Sequence, residues 1–126
     1  MELRRGTEGL VRKPPVPDGP TVTVVFGGEE GGPEVGLVRV HIPVGGGMPA
    51  HSHGGSDVIL TTVTGQVRLG ADGESLDVHP GDSVLVRRDE KVSLTNPGDV
   101  PARVVVAAGP TNFLSDIRRL PEPSAG

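Results

Sequence analysis

Short runs in which apolar and polar residues alternate recur along most of the chain. Val22, Val24 and Phe26 alternate with Thr21, Thr23 and Val25, and Val38, Val40 and Ile42 alternate with Arg39 and His41. A mixed run from Val58 to Val63 ends at Gly65 and is followed by Val67 and Leu69. Leu76 with Val78, Val84 with Val86, Val92 with Leu94, and Val104 with Val106 continue the series. A period of two puts each apolar set on one face of a strand. Turn-forming clusters separate the runs: Gly27-Gly28, Gly45-Gly46-Gly47, Asp72-Gly73, Pro80-Gly81-Asp82 and Asn96-Pro97-Gly98-Asp99. Strands punctuated every 8–12 residues or so read as a sandwich or barrel, here of about nine strands. Only Thr111–Leu120 has a helical period, with Phe113, Ile117 and Leu120 on one face.

The flanks differ from this centre. Residues 1–20 hold Pro14, Pro15, Pro17 and Pro20, which favour extended geometry and exclude a regular central strand. They are read as an arm, loose or laid along a sheet edge. The barrel is expected over residues 21–110, and a short helix with a frayed tail over 111–126.

Composition sharpens the class. With 20 Gly and 13 Pro among 126 residues, disorder has to be weighed, but the 20 Val favour strands. The length suits one domain. No apolar stretch reaches the roughly 18–20 residues that span a bilayer. Met1–Arg5 is not followed by an apolar signal region, so a cytoplasmic location is expected. The absence of Cys excludes disulfides, thiolate nucleophiles and Cys-ligated metals. A net charge of −4 without Trp or Tyr argues against a nucleic-acid partner.

The chemistry concentrates between Gly45 and Asp57. His51 and His53 stand two apart, so in extended chain they project to one side, and two imidazoles there could share one ion. The same spacing also fits two solvated loop histidines. His41 lies opposite an apolar set and His79 precedes a turn, so both read as surface residues. Arg87-Arg88-Asp89-Glu90-Lys91 reads as a solvated hairpin turn, and Arg68 and Arg103 as outward strand residues. One or two of Thr61, Thr62 and Thr64 would line a cavity near the site. No nucleophile elbow, Cys–His pair or phosphate loop is present.

Gly45, His51, His53 and Gly65 resemble the first motif of the cupin superfamily, a glycine, His-x-His, a Glu and a glycine at set intervals. Gly81-Asp82, the apolar Val84–Val86 and Asn96-Pro97-Gly98 resemble its second motif. The resemblance covers about residues 35–108 and looks like a small single-domain bacterial cupin with a degenerate metal site. It implies an all-β, double-stranded β-helix or jelly-roll barrel with one short C-terminal helix. It also implies a divalent transition metal (Zn, Ni, Mn, Fe or Cu) and oxygenation, isomerisation or lyase chemistry on a small organic molecule.

The departures bear on that site. Val92 stands where the third histidine of the motif would be, Val58 where its Glu would be, and Arg87 replaces the strand-end proline. The expected ligand set is therefore His51 and His53, with Asp57 as a third. Neighbours on a strand point opposite ways, so Asp57 and Val58 cannot both face inward. Two functions follow as alternatives: a metal-dependent protein acting on or binding a small organic molecule, or a metal-free cupin that binds a small molecule or serves a structural role. A homodimer is expected as well, pairing the exposed edge formed by Thr21–Phe26 and the Pro-rich arm, with the apolar face of the terminal helix also buried there.

Overall fold

The alternating runs form two antiparallel sheets that enclose an apolar interior, as a computed structural model describing residues 1–124 shows. Ala125 and Gly126, the end of the expected tail, lie outside the described residues. In chain order the strands are β1 (Leu10–Arg12), β2 (Thr21–Phe26), β3 (Gly36–Ile42), β4 (Gly47–His51) and β5 (Asp57–Thr64). They continue with β6 (Val67–Ala71), β7 (Glu74–Val78), β8 (Ser83–Val86), β9 (Val92–Thr95) and β10 (Ala102–Gly109). One helix, α1 (Asn112–Arg118), follows. The larger sheet runs β1-β2-β3-β10-β5-β8, and the smaller runs β4-β9-β6-β7.

Alternation decides what faces inward. Along β10, Ala102, Val104, Val106 and Ala108 are buried while Arg103 and Ala107 are exposed. Val58, Leu60 and Thr62 of β5 point into the same interior, and Ile59 and Val63 point out. The β6–β7 hairpin closes through Asp72-Gly73, both at positive φ, as a two-residue turn with the twist of its strands requires.

Two strands lie outside the periodic pattern: β1, too short to show a period, and β4, which contains Pro49. Pairing of β1 with β2 answers the question of the N-terminal arm, which lies along a sheet edge. The guanidinium of Arg39 holds that arm further by donating to the carbonyls of Arg5, Gly6 and Glu8. The edge of Thr21–Phe26, expected to be exposed and available to a second copy, is thus covered within the chain. The helix is also shorter than the sequence suggests and turned differently. Leu114 and Ile117 are its buried residues, packed on the barrel, while Phe113 and Leu120 are half-buried.

The two ends of the chain are clipped together. The Lys13 amide donates to the Pro121 carbonyl at 2.8 Å, and Arg12 Nε donates to the Arg118 carbonyl at 3.1 Å. A buried Asn96 ties the loop after β3 to its own loop after β9. Its Nδ2 donates to the carbonyls of Ile42 (3.1 Å) and Val100 (2.9 Å), and its Oδ1 accepts from the Gly98 amide (2.9 Å). Its own amide donates to the Gly46 carbonyl at 2.9 Å.

Asn96→Ala leaves the buried Ile42 carbonyl, and the part-buried Val100 carbonyl and Gly98 amide, without these partners, and the first is a desolvated group that water does not recover. We expect it to lower stability by about 2–3 kcal/mol. The check is urea unfolding followed by circular dichroism: a lower midpoint at unchanged slope is the expected result.

Candidate functional site

The interior contains a cavity of about 120 Å³. Its lining draws on both sheets, on Pro14 and Pro20 of the arm, and on Phe113 and Ile117 of α1. Every lining side chain is apolar except two, His51 and His53.

A break in strand register brings His51 there. Met48 pairs with Leu94 and His51 pairs with Val92, so three steps along β4 match two along β9. That β-bulge, at Pro49-Ala50, adds one residue to one strand and reverses the parity beyond it. Met48 and His51, which would face opposite ways in a regular strand, both line the cavity. Gly47 lets β4 approach β9 closely, since a Cβ there would fall 1.9 Å from the Leu94 carbonyl oxygen.

The His51 ring accepts a defined tautomer. Its Nδ1 lies 2.9 Å from the Pro49 carbonyl oxygen, which can only accept, so Nδ1 carries the proton. In the neutral ring Nε2 then bears the lone pair. His53 follows in the loop after β4, with its ring centroid 5.0 Å from that of His51 and 4.6 Å from that of Phe113, both edge-on. Its Nδ1 is buried and has no hydrogen-bond partner among the described residues. Burial first, and the neighbouring His51 second, push the His53 pKa down to about 4, so the ring is neutral at pH 7.

Ser56 seats this corner, and sequence reasoning missed it. Fully buried, its hydroxyl donates to the Pro110 carbonyl and accepts from the Phe113 amide at 3.1 Å. The first turn of α1 is thereby pinned over the histidine loop, and Phe113 meets His53. A serine among glycines carries no periodic signal, which is why only the folded chain reveals it.

Asp57 lies apart from the histidines. Val58 faces inward, so its neighbour faces out, and the carboxylate accepts from the Arg88 amide at 2.8 Å and from its guanidinium at 3.4 Å. These bonds, the backbone one foremost, hold the Asp57 carboxyl below its ordinary pKa. Arg88 is therefore less a free turn residue than a partner across the β5–β8 end. Val58 and Val92 both line the cavity, at the positions where the motif would place ligands. His41 and His79 are exposed, as expected of surface residues, and Thr62 alone of the three threonines is buried, donating to the Val78 carbonyl at 3.2 Å. Among the described residues no three His, Cys, Asp or Glu side chains gather as a metal-holding group. Two imidazoles without a third donor do not complete even an open divalent site, which takes three protein ligands and a water.

Comparison with known proteins agrees with this architecture. The family model described as Cupin domain matches residues 38–108. No curated protein matches the chain. Among solved structures, a RmlC-like cupin from Shewanella frigidimarina NCIMB 400 is similar at 15% identity and a TM-score of 0.69, covering 87% of this chain and 91% of that one. The polyketide cyclase RemF from Streptomyces resistomycificus is similar at 18% identity and a TM-score of 0.73, covering 86% and 79%. An oxalate oxidase aligns at 26% identity and a TM-score of 0.68 over 78% of this chain but only 54% of its own.

A pH dependence of stability follows from His53. In the unfolded chain it takes a proton near the reference pKa of about 6.5, and in the folded chain only near 4. Its contribution is fully present above pH ~6.5, is lost as pH falls towards 4, and changes no further below that. The expected loss is on the order of 2 kcal/mol, allowing for nearby solvent. Urea midpoints measured from pH 7 to pH 4 should fall in wild type and fall less in His53→Phe. Equal slopes would show that this ring is not desolvated.

Proposed function

The chain belongs to the cupin family, and we propose that its barrel binds a small, largely apolar organic molecule, with His51 and His53 as the polar end of the pocket. The observation that carries this reading is the lining: aliphatic and aromatic side chains throughout, broken by two imidazoles at one place. Pockets of this kind take their affinity from apolar burial and their orientation from a few placed polar groups. His51, His53 and Phe113 are all only half-buried, so the polar end coincides with the approach from solvent. Among the described residues no Asp, Glu, Lys or Arg lines the cavity, which leaves imidazole as the chemistry on offer.

A second reading has one specific observation in its favour. The bond from His51 Nδ1 to a backbone carbonyl is the support that metal-bound histidines usually have, and it aims Nε2 away from that bond. A divalent transition metal held by His51 and His53 would then need further donors from water or ligand, since Val58, Val92 and the outward Asp57 supply none.

Thermal unfolding separates the two. Toluene should raise the melting temperature of wild type, by the equivalent of about 3 kcal/mol at a hundredfold excess over Kd. Val104→Phe, which fills the cavity, should remove that response. Zn, Ni, Mn and Cu ions should leave the melting temperature unchanged. A rise with one of them that disappears in His51→Ala and grows in Val92→His would establish the metal reading instead.

A further inference from the structure

The unpartnered nitrogen of His53 says more about the ligand than its shape does. A buried polar atom without a hydrogen bond costs about 1–3 kcal/mol, and the folded chain offers Nδ1 none. A ligand that supplies the missing partner recovers that cost on binding, whereas a purely apolar one leaves it standing. The tautomer of His53 is not pinned by a carbonyl as that of His51 is, so the partner must be able to accept from Nδ1 or donate to it. His51 Nε2, with its lone pair, calls for a donor.

Charge narrows the choice. An ammonium could donate but would enter an apolar pocket with no carboxylate to pair with. A carboxylate would meet no Lys or Arg there. Either ion would be desolvated without compensation. A carbonyl accepts but cannot donate. A hydroxyl does both through a single small neutral atom. Size then limits the rest of the molecule: the cavity of about 120 Å³ is slightly below the ~150 Å³ apolar cavity that takes up benzene. One ring, with its polar atom at the half-open end, fits that volume.

We propose that the barrel selects an uncharged hydroxyl compound of about single-ring size, a phenol or comparable alcohol, whose hydroxyl bonds to His53 Nδ1 while its hydrocarbon part fills the apolar cavity. The inference rests on the barrel pocket being the binding site, as proposed above. Phe113 lies edge-on to His53, and the bulge turns His51 inward, so both rings border the same cavity.

Phenol, toluene and benzoate are matched probes, and calorimetric titration of each into wild type, His53→Phe and His53→Leu at pH 7 tests the idea. Toluene leaves water more readily than phenol, so burial alone favours toluene. We expect phenol to bind wild type at least about tenfold more tightly than toluene, with benzoate weaker than both. In the two variants phenol should lose its advantage while toluene still binds; two substitutions guard against one failing to fold. Toluene binding as well as phenol in wild type, benzoate binding best, or a phenol preference that survives both substitutions would overturn the hydroxyl inference and leave the pocket standing. If neither phenol nor toluene binds wild type, the pocket reading itself fails.

Discussion

A β-strand sends successive side chains to opposite faces, and the interior of this barrel depends on where that alternation is kept and where it is broken. Along β10 and β5 it is kept: Val, Leu and Ala with Thr62 form the inner wall, while Arg103, Ala107, Ile59 and Val63 stand outside. Between Met48 and His51 it is broken by one extra residue, and the result is an imidazole inside an apolar wall. The bulge costs some pairing, and it also reverses which residues of β4 reach the cavity. Without it the ring of His51 would face away from the cavity.

The chain's two ends make the remaining wall. Neither the arm nor α1 could hold its place alone, since one is rich in proline and the other spans only Asn112–Arg118. They hold each other instead, through Lys13 with Pro121 and Arg12 with Arg118. Ser56 then joins the start of the helix to the histidine loop, so that Phe113 sets the distance at which His53 is covered. Burial at the site is thus a property of three segments far apart in sequence, and the lowered basicity of His53 follows from it.

Substitution of carbon for donor atoms sets the chemistry. Val58 and Val92 bring methyl groups to positions where the family motif carries ligands, and the acidic residue next in line, Asp57, is bound to Arg88 on the outside. What the folded chain places together is a pair of imidazole rings at the end of a small apolar cavity. Such an arrangement favours molecules that bring little charge and one hydrogen-bonding group.

Period-two alternation, valine and glycine-rich turns were enough to determine an all-β barrel, and the spacing of Gly45, His51, His53, Gly65 and Gly81-Asp82 was enough to determine which barrel family. These are local properties, because side-chain direction and turn chemistry are written residue by residue. Strand β1 was beyond that reading, since three residues carry no period, and so was the covering of the β2 edge that had suggested a dimer. The outward turn of Asp57 was legible in part, from the inward expectation for Val58, but its partner Arg88 lies 31 residues away. Nor could the sequence disclose that Ser56 is buried, that Pro49-Ala50 is a bulge, or that His53 Nδ1 has no partner. Each of these depends on which distant backbone comes to lie beside the residue, and only the closed barrel decides that.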